Sequence, residues 1–392
     1  MTCSSLRLLA WIRAAVLLLT ISAFTVTHSD GAASDGAPVL MRTFHVAGSP
    51  QRLAVNPDTS RLYVTNFNGD LQIIDADSGA EVKTLQAISA WAVAVNRTTN
   101  RVYVAQWAKG QVAVVNGTTN SIIAEIDVVP HPTSLAVNPV SNRIYANSDG
   151  EKVSVIDGNT NEVIDEISVG ASYIAVDSTT NTIYTTSLLQ CTMPIPIQLS
   201  AIDGETNDKT AEVQIGPLPF DLQVDPANGM IIAVTAIDDG VGPGQLWMVD
   251  AKSFSVARSV PMNQQISAVG VNTITHEMYA VNFYPSTVAA FDSSGNELGR
   301  VEVGVVGAGP TAIAVDEIHD LAYVSVGNAG EIAVIGKGPA SVSPSPRPSP
   351  GVVPIGGGPP APREELPATL LLGALALMTF GASLVLAARR AH

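Results

Sequence analysis

LAVNPDTSRLYVTN, from Leu53 to Asn66, sets out the plan of the chain in one phrase. Its apolar residues Leu53 to Val55 stop at Asn56, and a Pro-Asp-Thr-Ser segment follows that disfavours continued extension. A second extended run then centres on Tyr63. Two short strands joined by a tight polar turn form a hairpin, which cannot bury its apolar faces alone. The phrase therefore calls for neighbours of its own kind.

The neighbours are present. VAVNRTTNRVYVAQ starts at Val93, LAVNPVSNRIYANS at Leu135 and IAVDSTTNTIYTTS at Ile174. Looser copies start at Leu222, Val269 and Ile313. Anchored on Asn56, Asn96, Asn138, Asp177, Asp225, Asn272 and Asp316, the intervals are 40, 42, 39, 48, 47 and 44 residues. A period in the forties built from short strands indicates propeller blades. Each copy continues into a third strand (LQIID at Leu71, VSVID at Val153, LWMVD at Leu246), a polar turn and an alternating fourth strand. The Asn-Gly and Asp-Gly pairs in these turns are expected to take positive φ. Six fourth strands follow seven triplets, and Val39 to Gly48 supplies the match for the missing one. Laid beside Ile332 to Ile335, it closes the ring and removes its open edges. The expected fold is all-β: a seven-bladed β-propeller of four-stranded blades over 39–336, its last blade completed by the N-terminal strand.

This region resembles the YVTN-repeat β-propeller family, whose name phrase stands here as Tyr63-Val64-Thr65-Asn66 and whose consensus is approached by VSVIDGNTNEVI at Val153 to Ile164. The resemblance implies the propeller fold and often a surface or periplasmic location. It implies no single activity, because propellers host lyases, parts of oxidising enzymes, surface-layer modules and binding platforms alike.

The ends carry targeting patterns. Residues 1–33 hold Arg7 and Arg13, an apolar run from Ala14 to Val26 and a small-residue stretch near Ala32, the layout of a signal peptide. Residues 337–365 contain a proline-rich segment, with nine prolines between Pro339 and Pro362, expected to form an extended stalk. Residues 366–392 form the expected anchor. Ala368 to Ala388 is apolar or small throughout and closes on Arg389 and Arg390, which fits a C-terminal transmembrane helix with the propeller outside. Leu366-Pro367-Ala368-Thr369 resembles a sortase sorting signal, departing from it at Leu370, where that signal has glycine; it offers wall attachment as the alternative. Only Cys191 lies outside the leader, so no disulfide is expected within the propeller.

In a meander of this kind, the loops after the second strands and the blade-to-blade loops share one face. That face is the variable one. Its loops over Thr185 to Gln198 and Ala236 to Gln245 are long, and it is expected to present Phe67, Trp91, Trp107, Tyr173, Phe220, Phe283 and Tyr284. Aromatic residues make up 5% of the chain, so their concentration here points to ligand binding. The competing reading has several of them plugging the space between blades. His131, between two prolines on this face, is a weak candidate for a general base. Asp238 and Asp239 are weak candidates for a divalent cation, though without the ligand spacing of a calcium loop. His276 and His319 fall in turns of the opposite face and are expected to be solvated. Asp75, Asp157, Asp203 and Asp250 end third strands in register and read as turn caps.

Residues 39–336 hold 13 Lys and Arg against 31 Asp and Glu, which repels nucleic acid. No phosphate loop, nucleophile elbow or cysteine pair is present, and the sequence assigns no cofactor. Its reading is a membrane-anchored display module that binds a protein, glycan or envelope component. The alternatives are a lyase or lactone hydrolase using a divalent metal, and a purely structural envelope protein.

Overall fold

Seven antiparallel sheets of four strands each make up the computed structural model, which describes residues 37–148, 152–188, 197–236 and 243–338. The leader, the stalk beyond Gly338 and the anchor, with Leu366, Pro367, Ala368 and Thr369, lie outside these residues, whereas Lys337, read as the start of the stalk, still pairs with Pro38 in the last blade. Among the described residues no helix is long and apolar enough to cross a membrane.

Blade 1 runs Pro50–Asn56, Arg61–Asn66, Leu71–Asp75 and Glu81–Leu85, from the axis outwards. The innermost strands of blades 2 to 7 are Ala90–Asn96, Pro132–Asn138, Tyr173–Asp177, Pro219–Asp225, Gln265–Asn272 and Pro310–Asp316. Six blades are built from consecutive strands. In blade 7 the order is Pro310–Asp316, Leu321–Val326, Glu331–Lys337 and then Pro38–His45, so the N-terminal strand forms the outer edge. Leu40 pairs with Ile335 and Phe44 with Ile332. Phe44 is buried with Leu62 and Ile74 of blade 1 and Tyr323 of blade 7, so this strand seals the 7/1 boundary as well as its own sheet.

The core is distributed as one apolar cluster at each boundary between blades. The recurrent tyrosine explains this arrangement. Tyr63, Tyr103, Tyr145 and Tyr184 point from the middle of their second strands onto the following blade, as do Tyr279 and Tyr323. In blade 5, Ile232 takes that place against blade 6. A large, nearly flat side chain at a fixed register fills the wedge between two twisted sheets, which is why the residue recurs.

The anchor residues form a second repeated device. Asn96 Oδ1 accepts the Thr99 amide and so caps its own turn, while its Nδ2 donates to Asn142 Oδ1 of the next blade at 2.8 Å. Asn56 and Asn138 bond in the same way to Asn100 and Asn181, and Asn272 to Asp320. At the 5/6 boundary His276 Nδ1 meets Asp225 Oδ2 at 2.8 Å. The expectation of solvated histidines holds for His319, which is exposed and bonds Asp316 Oδ2 of its own turn, and is corrected for His276, which is half-buried and joins two blades. Hydrogen bonding to Asp316 raises the His319 pKa.

The Asn-Gly and Asp-Gly turns also differ from expectation. Positive φ falls on Asn120, Asn161 and Asn207, three residues after Gly117, Gly158 and Gly204, and not on those glycines. The glycines are there for space: a Cβ on Gly158 would stand 2.6 Å from Asn142 Oδ1 and 2.7 Å from the Asn142 carbonyl oxygen. The preceding aspartates act as expected, Asp157 Oδ1 accepting the Asn159 amide and Asp203 Oδ1 the Glu205 amide.

Candidate functional site

The long loops are shorter than the sequence indicated. Thr185 to Leu188 and Ile197 to Gln198 belong to paired strands, as do Ala236, Gly244 and Gln245, because the ladders continue to Leu188 opposite Ile197 and to Ala236 opposite Gly244. The remaining tips, with Cys191, Asp238 and Asp239, lie outside the described residues. Among the described residues no group of three or more His, Cys, Asp or Glu side chains is placed to hold a metal ion.

The seven aromatic residues divide into two sets. Phe67 and Trp107 hold equivalent places just after the second strands of blades 1 and 2, each donating its amide to the segment entering the same blade, at Ser49 O and Ser89 O. Trp91 reaches the surface by a different route. The pairing register shifts between Ala90 and Ala92, and the bulge throws Trp91 outwards. Phe220 occupies the corresponding bulge of blade 5 but turns onto the core between blades 5 and 6. The competing reading therefore holds for this residue. Phe283 is half-buried near Gly309, and Tyr284 is 50% exposed at the end of its strand.

Trp91 and Trp107 come together with His131. The indole centroids are 6.1 Å apart, tilted by 33°, and the His131 ring is 4.6 Å from Trp107, tilted by 32°. His131 enters blade 3 at a φ of 55°, a conformation that directs its ring back over blade 2. The three rings form a ladder across the 2/3 boundary, with Trp91 43% and Trp107 39% exposed. Phe67 is 76% exposed on the same face, and so are Val305 and Val306, at 80% and 63%. Sequence reading missed the two valines, whose signal was their glycine-flanked position in the loop entering blade 7.

Tyr173 does not join this surface. It lines a cavity of about 120 Å³ in the central channel, together with Arg52, Thr133, Ser134, Asp221 and Gln223. Asp221 is fixed by the amides of Leu222, at 2.9 Å, and Val269, at 3.1 Å. Desolvation at the channel wall, where Asp221 is half-buried, pushes its carboxyl up to about 6 against the opposing pull of Arg52. Burial likewise raises the Tyr173 hydroxyl. Arg52 is steadied by donating to the Thr311 carbonyl at 3.1 Å. Further along the axis the channel wall is mixed, with aliphatic side chains standing beside Ser178, Thr179, Gln223 and Thr273. A second cavity, about 510 Å³, is lined by Val95, Val137, Val176 and Val224, and shares Leu135, Ile174 and Leu222 with the first. Beyond it, Arg97 of blade 2 pairs with Asp58 of blade 1 at 3.0 Å and Glu317 of blade 7 at 2.7 Å.

No protein-family model and no curated protein matches the chain. Among solved structures it is similar to a chain of Kuenenia stuttgartiensis hydrazine synthase, with 15% identity, a TM-score of 0.67, and coverage of 82% of this chain and 100% of that one. The likeness is one of fold. It agrees with the seven-bladed ring and carries no activity across.

Proposed function

We propose that this chain is an exported, membrane-tethered propeller of the YVTN-repeat type that binds an envelope component or glycan through its loop face. The observation carrying the proposal is the exposed ladder of Trp91, Trp107 and His131 across two blades. Flat rings held at fixed spacing on a rigid scaffold supply contact area with little ordering cost, which suits the apolar faces of sugar rings. The Tyr63 to Asn66 phrase and the forty-residue period support the family reading, and the apolar, arginine-closed segment from Ala368 supports the tether.

The test is binding of the purified full chain to cell-wall fragments and a glycan array. Trp91→Ala and Trp107→Ala are each expected to weaken binding by about thirtyfold, corresponding to ~2 kcal/mol for a central aromatic anchor. Ile274→Ala, exposed on the opposite face, should leave it unchanged. Loss of thermal stability in both tryptophan variants without a binding defect sinks the proposal. Protease added to intact cells should release the propeller by cutting between Pro339 and Pro362; protection of the whole chain argues against export.

A further inference from the structure

We propose that the channel holds a second site, independent of the aromatic ladder, which takes an aliphatic α-amino acid with its charged ends between Arg52 and Asp221 and its side chain along the valine-lined axis.

A guanidinium and a carboxyl group lie on the wall of one small cavity, contributed by blades 1 and 5, and among the described residues no ion pair joins them. Each is held by the backbone instead: Arg52 by the Thr311 carbonyl, Asp221 by the Leu222 and Val269 amides. These bonds fix both groups in place. Two opposite charges that are half-buried on one cavity wall and not paired with each other favour a ligand that satisfies both at once. A molecule with a carboxylate at one end and an ammonium at the other meets that need. The carboxylate faces Arg52 and the Tyr173 hydroxyl, and the ammonium faces Asp221.

Size and polarity narrow the choice. At about 120 Å³ the polar cavity has room for only a handful of non-hydrogen atoms, enough for the backbone of a free amino acid and too little for a sugar or a nucleotide. The adjoining cavity of about 510 Å³ is bounded by Val95, Val137, Val176 and Val224. An aliphatic side chain entering it packs on these valines, whereas a charged one meets no opposite charge, since the polar residues of this wall, Ser178, Thr179, Gln223 and Thr273, are all neutral. The two cavities share Leu135, Ile174 and Leu222, so a single small molecule is able to span them.

The experiment is calorimetric titration of the purified full chain with four probes: leucine, glycine, 4-methylpentanoate, which lacks the amine, and 3-methylbutylamine, which lacks the carboxylate. Leucine is expected to bind one per chain, and at least about tenfold more tightly than each of the other three. Arg52→Gln and Asp221→Asn should each weaken leucine by about tenfold or more, with Ile123→Ala, exposed on the outer strand of blade 2, unchanged. Tyr173→Phe removes only a hydroxyl and is expected to weaken leucine severalfold at an unaltered melting temperature, which keeps the test decisive if a charge variant fails to fold. Absence of leucine binding overturns the proposal. So does 4-methylpentanoate or 3-methylbutylamine binding as tightly as leucine, or leucine binding that is indifferent to Tyr173→Phe and both charge variants.

Discussion

Asn96 donates its side-chain Nδ2 to Asn142 Oδ1 across the boundary between blades 2 and 3, at 2.8 Å. The same amide caps its own turn through Thr99, so one side chain sets both the local bend and the spacing to the next blade. Asn142 is placed to receive the bond by its φ of 52°, a left-handed conformation that asparagine tolerates better than most residues.

Asn96→Ala removes the cap and leaves Asn142 Oδ1 without this donor. A loss of roughly 1–3 kcal/mol is expected. Chemical denaturation of the variant should show a lower midpoint at unchanged slope. An unchanged midpoint would mean that water replaces the strut at no cost.

The 4/5 boundary offers the converse. Gly229 occupies in blade 5 the place that Asn100, Asn142 and Asn181 hold in blades 2 to 4, at a φ of 64°, and a Cβ there meets nothing within 4 Å. Asp177 of blade 4 consequently has no such side chain facing it. Gly229→Asn supplies an amide able to donate to Asp177 in a backbone conformation that asparagine accepts, and is expected to stabilise the protein by about 0.5–1 kcal/mol. Thermal melting checks it; a lower melting temperature refutes it.

Asp221 gives the protein a pH signature. Its carboxyl binds a proton up to about pH 6 in the folded protein, against an ordinary value of 3.8. The folded state therefore holds the proton more tightly than the unfolded chain, and the contribution of this group to stability falls as pH rises from about 4 through about 6. The difference corresponds to roughly 3 kcal/mol as an upper figure, with Arg52 already opposing the burial. Asp221→Asn should flatten the decline in melting temperature between pH 4 and pH 7 relative to the wild type. Parallel curves for the two proteins would show that Asp221 titrates normally.

Removal of Pro38 to His45 exposes the edge of Glu331–Lys337 and withdraws Phe44 from the 7/1 cluster. The truncated chain should melt at distinctly lower temperature and aggregate on concentration, as an unprotected edge does. Light scattering alongside melting distinguishes the two effects, and wild-type behaviour in both contradicts closure by this strand.

The ring was legible because each blade repeats the same physical problem: a tyrosine for the wedge in six of the seven, an asparagine or aspartate for the turn, an alternating strand at the rim. Seven copies made the period plain, and the stray strand at Val39 completed the count. The site was legible only in part. Trp107, Phe67 and Trp91 were placed on the exposed face correctly, whereas Phe220 was not, because at the corresponding bulge of blade 5 it turns onto the core between blades 5 and 6. Asp221 and Arg52 went unnoticed because each is an ordinary charge on an inner strand. What brings them onto one cavity is the curvature that places blade 5 across the axis from blade 1. The glycines of the Asn-Gly and Asp-Gly turns misled for a related reason. Gly158 answers to the nearby Asn142, a contact between residues 16 positions apart, and not to its own backbone angle.

The pairing of Val39 with Gly336 also sets an order of events. During synthesis the closing strand is made first and its partner last, so the earliest propeller segment must wait while six blades assemble behind it. Its composition suits that delay. Arg42, Thr43 and His45 interrupt the apolar residues of Pro38–His45, so the waiting strand has little tendency to pair with another copy of itself. Closure of the ring thus unites the first and the last strand of the propeller in one sheet.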